Sequence, residues 1–295
     1  MNPIISQLND EFEKMSTIIS RQRDELEKQR QELVQQRREI DALTHIPVSY
    51  TNPYLRYMDC QDMLDTLRCP PCVFKVPRAM CLEKCTWDEI DRLGKDGLAQ
   101  HVFSVGDAKT VHLTDGSTIE VRIIGFNHDR DESGKLIPIS FETVQTLNED
   151  YAMNSEWTNK GGWASSKLRK QLNSEIFNLL PDDLRKVIKP AVKQTGTGGT
   201  SPKMGETTDL LFLLSEQEIF GRQIYSIGDE GRWYEWYKRE NTPYGKRKQN
   251  GEKDWRWERS PYRDTTSAFC YVYSYGNANY DIAVSSIGVS FGFCV

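Results

Sequence analysis

The sequence predicts an α+β protein: a helical N-terminal segment followed by a body of short strands and helices. Three observations carry this. All 20 glycines of the 295-residue chain lie at Gly94 or later. Apolar residues keep a seven-residue period as far as Leu43 and a two-residue period near the C-terminus. Charge nearly vanishes from Thr265 to Val295, where Asp281 is the one charged residue. The averages (38% hydrophobic, 27% charged, net charge −5) exclude a disulfide miniprotein, a disordered acidic tail and a basic nucleic-acid arm. No apolar run approaches the ~20 residues of a membrane helix, and no secretory signal is visible, so membrane insertion is not expected.

Residues 1–46 read as a coiled-coil oligomerisation stalk. Ile5, Phe12, Ile19, Leu26, Leu33 and Ile40 fall at heptad position a; Leu8, Met15 and Leu43 fall at d, with Gln22, Gln29 and Gln36 at the other d positions. At 1.5 Å per residue this is a rod of roughly 58 Å. A helix of that length cannot bury its seam alone, so self-association is expected. The three Gln layers favour a parallel homotrimer over a tight dimer.

Residues 47–100 read as a connector. Five of the seven cysteines crowd into it: Cys60, Cys69, Cys72, Cys81 and Cys85. Cys69, Cys72, Cys81 and Cys85 have spacings that suit a structural zinc. The competing reading, preferred because spacing alone over-predicts metal sites, is reduced thiols packed as small hydrophobes. Thr86 and Glu89 form a capping box ahead of a short helix ending near Gly94.

Residues 101–295 read as the main domain. Val102–Val105 and Lys109–Leu113 look strand-like, Asp115-Gly116 is a hairpin turn, and Thr118–Phe126 is the second strand. Asn127-His128-Asp129 reads as a structural turn rather than a metal or catalytic site, because no other histidine stands at ligand spacing. A helix follows Trp163, with Leu168, Leu172 and Ile176 on its buried side. A second starts after Pro181. Gly196–Gly205 reads as a flexible loop and Leu210–Leu214 as a central strand, with Glu216 and Glu218 just beyond it on one face. Nucleophile and metalloprotease motifs are missing from the sequence, and Lys246-Arg247-Lys248 reads as a solvated loop.

The C-terminal region carries the candidate binding residues. Phe269, Tyr271, Tyr273 and Tyr275 alternate with Cys270, Val272 and Ser274, a period-two strand with aromatics on one face. Gly276 to Asn279 is a turn, and Ile287, Val289, Phe291, Phe293 and Val295 form the core face of a last strand. Cys270 and Cys294 read as packed free thiols, neighbours within one sheet. Tyr, Ser, Asn and Gly with almost no Lys or Glu is the chemistry of adaptable binding surfaces. The expected ligand surface comprises Trp255, Trp257, Glu258, Tyr262, Arg263 and Asp264 from one loop. The following strand and turn add Tyr271, Tyr273, Tyr275, Asn277, Asn279, Tyr280, Asp281, Ser285 and Ser286.

Six segments (His101–Asp129, Thr158–Arg169, Leu179–Arg185, Thr208–Glu216, Trp257–Pro261 and Gly288–Cys294) together resemble an uncharacterised domain family of phages and gut Firmicutes. The resemblance implies a C-type-lectin-like fold, related to formylglycine-generating-enzyme-like domains. It also implies kinship with phage tail proteins and with variable proteins of diversity-generating retroelements. The chain departs from the family at Glu258, where an apolar residue is usual, and at Ser290-Phe291-Gly292. The formylglycine enzyme's reactive cysteine pair is not recognisable, so its activity does not carry over. The function expected is therefore non-catalytic: a trimeric, stalk-borne protein that binds a bacterial surface protein or glycan, with no cofactor beyond the structural zinc. It would be a virion component if phage-encoded and cytoplasmic otherwise. The alternatives are an intracellular bacterial ligand-binding protein on an oligomeric stalk and a metal-dependent oxidoreductase.

Overall fold

A computed structural model describes Lys28, which is helical and exposed, and Met80–Val295. The heptad stalk, its expected trimer, and Cys60, Cys69 and Cys72 lie outside the described residues. Helix α1 (Trp87–Lys95) begins where the sequence places it. Thr86 Oγ1 accepts from Glu89 N–H at 3.3 Å while Glu89 accepts from Thr86 N–H at 2.8 Å. Trp87 packs edge-on against Phe141 and Phe293, at 5.6 and 6.0 Å. The helix thus packs against the strands that follow it. The strand expected over Val102–Val105 is instead a helical turn, α2 (Ala99–Val102). Bonds from Val102 and Phe103 N–H to Leu98 and Ala99 carbonyls bury Ala99, Val102 and Phe103 together. Among the described residues no helix is long and apolar enough to cross a membrane.

The body is α+β, with several small antiparallel sheets. The largest has the order β1 (Ala108–His112), β2 (Thr118–Phe126), β3 (Ile139–Thr143), β11 (Gly292–Cys294). The β1–β2 hairpin turns at Asp115-Gly116, and β2 buries Ile119, Val121 and Ile123 at every second position. The last strand of the chain pairs with β3, so everything between them is one long excursion closed by the C-terminus.

That excursion opens with α3 (Gly162–Ser165) and α4 (Lys167–Gln171), which is N-capped by Ser166. A π turn over Leu172–Ile176 leads into α5 (Phe177–Leu179), and α6 (Asp182–Val187) follows Pro181. The segment read as a flexible loop is the 197–203 connection of a hairpin whose strands, β4 (Ala191–Gly196) and β5 (Met204–Asp209), flank it. The hairpin's inward side chains, Lys193, Thr195, Thr207 and Asp209, are polar and buried, so hydropathy hides the strands. Leu211–Leu214 is buried, but the run from Leu210 is not a strand. Phe212 bridges Gly292, while the Asn173 side chain takes the N–H groups of Leu210 and Leu211 in place of a neighbouring strand. Glu216 and Glu218 open a helix, α7 (Glu216–Phe220), with Ser215 and Glu218 forming a capping box. They therefore do not share a strand face.

After α8 (Glu235–Lys238) come the short pair β6 (Lys246–Arg247) and β7 (Lys253–Asp254). Lys246 is not solvated: it is buried, 3.0 Å from Glu142. A three-stranded sheet follows, β10 (Ala278–Ile282), β9 (Ala268–Val272), β8 (Arg256–Pro261). The expected last strand shortens to β11, with both faces buried. Cys270 and Cys294 are buried free thiols in different sheets, so they are not neighbours within one sheet.

Candidate functional site

Hairpin β9–β10 builds an aromatic row. β9 ends at Val272 rather than running to Tyr275, and Ala278 and Asn279 belong to β10. Tyr271 therefore lies on β9, while Tyr273 and Tyr275 stand in the connecting turn. Trp255, which follows β7, stacks beside Tyr271 and Tyr273. Its ring lies 5.3 Å from Tyr271 and 5.1 Å from Tyr273, and Tyr273 stacks on Tyr275 at 5.8 Å. Lys253 Nζ caps the row, 3.9 Å over the Tyr275 ring. Tyr275 is 71% exposed and Trp255 37%, so the outer end of the row faces solvent while Tyr271 anchors it inside. Asn277 is exposed at the turn, Asn279 and Asp281 are half-buried on the Tyr271 side, Ser285 is half-buried and Ser286 exposed.

Tyr280 pairs with Cys270 and belongs to the other side of the hairpin. It stacks on Tyr262 at 3.8 Å, and Tyr225 meets both rings edge-on at 5.9 and 5.2 Å. Tyr225 was not among the expected residues, since its loop carries no pattern of its own. Arg263 and Asp264 are exposed beside this cluster and 3.6 Å apart. The expected surface therefore divides into two aromatic patches.

Strand β10 is the edge of its sheet, and it is closed to strand addition by its own side chains. Bonds from Tyr273 N–H to Asn277 O and from Ala283 N–H to Ser267 O set the register. That register turns the N–H groups of Tyr280 and Ile282 outward, where they donate to Asn279 Oδ1 and Asp281 Oδ1 at 2.9 and 2.7 Å. Recognition here would rest on side chains.

Trp257 and Glu258 do not reach the surface. The chain encloses β8 on its outer edge, with Trp257 N–H donating to Gly288 O and Arg259 N–H to Leu214 O. All six side chains of β8 are consequently buried. Of the zinc candidates, Cys81 is exposed and Cys85 buried. Burial, reinforced by Glu89, pushes the Cys85 thiol up to about 11. Cys69 and Cys72, the other half of that set, lie outside the described residues.

Beneath the hairpin runs a network of buried charges. Lys193 Nζ lies 2.5 Å from Asp129, 3.1 Å from Glu218 and 2.9 Å from the Tyr234 hydroxyl, which in turn donates to Asp129. Arg259 donates to Glu218 at 2.5 Å and to the carbonyls of Leu213 and Glu230. Burial alone would raise both carboxyls. Lys193 beside Asp129, and Arg259 with Lys193 beside Glu218, outweigh it and hold both below the usual carboxylate range. His128 stacks on Tyr234 at 3.8 Å, and burial holds it down to about 4, so it is neutral at pH 7. Asp129 and Glu218 are already ion-paired with Lys193, so the His128–Asp129–Glu218 cluster is a structural knot and a poor metal site.

The knot floors a pocket of about 500 Å³. Asp131, Glu132, Glu206 and Asp229 stand around it, with Glu230 buried in its wall. Against them are Arg130, Arg232 and the paired Lys193, which leaves the pocket predominantly acidic.

No curated protein and no solved structure matches the chain. Residues 139–295, from β3 to the final strand, match the family described as a domain of unknown function, DUF6273. The match covers more than half of the 295 residues and includes the aromatic hairpin, the buried Lys193, Glu218 and Arg259, and most of the acidic pocket, while His128 and Asp129 lie before it. The chain belongs to the DUF6273 family.

Proposed function

We propose that this chain is a non-catalytic binding protein that recognises its ligand through the aromatic side chains of hairpin β9–β10. The observation that carries the reading is the solvent-facing row Trp255, Tyr273 and Tyr275 on a buried Tyr271 anchor. Rigid rings give contact area at low entropic cost, and Asn277, Asn279, Asp281 and Ser286 supply hydrogen bonds at its rim. The ligand class that fits is a bacterial surface protein or glycan. A C-type-lectin-like fold is supported by the C-terminal strand returning to β3 and by the second sheet carried on the excursion between them. The heptads support display on a homotrimeric stalk, which would add avidity to weak single sites. A phage tail or retroelement-diversified role rests on the sequence resemblance.

The test is the full chain with Tyr273, Tyr275 and Tyr280 replaced together by Ala. These side chains are half-buried or exposed, so the variant is expected to keep its fold by circular dichroism and to lose binding to bacterial cells. Undiminished binding would place the ligand surface elsewhere.

A further inference from the structure

Glu258 is fully buried on β8, and neither carboxyl oxygen has a hydrogen-bond partner. An unsatisfied carboxyl in the core is destabilising unless something completes it. Its surroundings indicate what. One ligand-type atom each from Glu258, Glu216 and Cys270 lies within 4.8 Å of the other two, and all three residues are buried. Glu216 is held in place independently. The N–H groups of Ile224, Tyr225 and Ser226 and the Ser226 hydroxyl donate to its Oε2 at 2.6–2.9 Å. Its Oε1 receives one shared bond, from Tyr225, and keeps acceptor capacity.

The charges facing this point are unbalanced. Glu230 adds a further carboxyl nearby. The nearest cations are committed elsewhere: Arg256 donates to Glu142 and Tyr237, and Arg259 to Glu218. Burial, then Glu216, pushes Glu258 well above the carboxylate range; burial, then Glu258, does the same to the Cys270 thiol.

We propose that Glu216, Glu258 and Cys270 form a buried site for a divalent transition-metal ion of the zinc class. A thiolate disfavours magnesium and calcium, and carboxylates disfavour cuprous copper, which leaves zinc and its neighbours. Ligand lengths of about 2.0–2.3 Å require donor atoms about 3.3–3.8 Å apart, so the three close by at most about 1.5 Å. Three protein ligands leave the fourth tetrahedral position to water. On binding, Glu258 and Cys270 each release their proton to solvent, and no electron moves. The ion ties α7, β8 and β9 together beneath the aromatic hairpin, and the inference stands independently of what that hairpin binds.

Zinc and cobalt are the probes, applied to the full chain. Parent, Glu258→Leu and Cys270→Ala are compared by bound metal per chain and by the rise in melting temperature on adding zinc. Metal held by Cys69, Cys72, Cys81 and Cys85 cancels in the difference. Each variant is expected to hold one ion fewer than the parent and to show a smaller zinc-induced rise. Loss of Cys270 is expected to lower thiolate-to-cobalt charge transfer relative to the parent, whereas Glu258→Gln at saturating cobalt keeps it. Glu258→Gln keeps the side-chain shape should either variant fold poorly, and is expected to weaken zinc at least about tenfold. Equal uptake by parent and variants overturns the proposal. So does a metal-free parent with a Glu258→Leu variant more stable than it, for Glu258 is then a buried neutral acid.

Discussion

Replacing Glu230 by Gln should change the pH dependence of stability in a calculable way. Glu230 is fully buried, with Oε1 accepting from Gly196 N–H at 2.9 Å and Oε2 from the Ser260 hydroxyl. Burial raises its proton affinity. Arg259, Ser260 and the Gly196 amide offset part of that, and Glu216 adds to it, leaving Glu230 at about 7 against an ordinary 4.5. The folded state therefore holds the proton more tightly than the unfolded one. The stabilisation is fully present below pH 4.5 and is lost as pH rises through 7. At about 1.4 kcal/mol per tenfold change in affinity, the span from 4.5 to 7 is worth about 3 kcal/mol. Gln mimics the protonated acid: its oxygen still accepts from Gly196 and its amide faces Ser260. Urea unfolding followed by tryptophan fluorescence, at pH 4.5 and pH 8, gives four free energies. Every other titrating group cancels in the difference between variant and parent. The variant should gain about 3 kcal/mol on the parent between the two pH values. Parallel pH dependences would show that Glu230 is not held protonated and would refute the reasoning.

Two further outcomes follow from the packing. Lys193→Met removes the cation shared by Asp129 and Glu218, leaving buried charge uncompensated. Urea unfolding should show a loss of about 3–5 kcal/mol, part of which returns when Asp129→Asn is added. Gly162 has φ +57°, and a Cβ there would strike the Gly196 carbonyl oxygen, whereas Gly116 at φ +87° has open space around it. Gly162→Ala should cost about 3 kcal/mol or more and Gly116→Ala about 1 kcal/mol. Equal costs would mean that backbone conformation alone decides both positions.

What was legible in the sequence is what short-range chemistry dictates. Thr86 and Glu89 sit at capping-box spacing, Asp115-Gly116 joins two runs of β character, and the start of the alternation, Phe269 to Val272, marks β9, with Tyr273 and Tyr275 falling in the turn beyond it. Each is satisfied by bonds within a few residues or across one turn. Illegible were the features assembled over distance. Asp129, Lys193 and Glu218 look like surface charges until the fold brings them together. β8 is six buried residues, of which Arg256, Glu258 and Arg259 are charged, so hydropathy places it outside. The same reversal moved Trp257 and Glu258 from the expected surface into the core. Leu210–Leu214 shows the converse: a strand-like run whose first two N–H groups go to the Asn173 side chain and whose contact with β11 is the single bridge of Phe212 to Gly292. The aromatic row was visible as composition, but its division into a Trp255 side and a Tyr280 side needed the register of β9 and β10.

The central claim is that binding resides in the aromatic hairpin and not in the acidic pocket. It is tested most directly by flow cytometry of bacterial cells labelled with the full chain in three forms: the parent, the Tyr273/Tyr275/Tyr280→Ala variant, and a Glu206→Gln/Asp229→Asn pocket variant. The account predicts that the tyrosine variant loses at least about tenfold in apparent affinity while the pocket variant binds as the parent does. A pocket variant that loses binding while the tyrosine variant retains it would contradict the account.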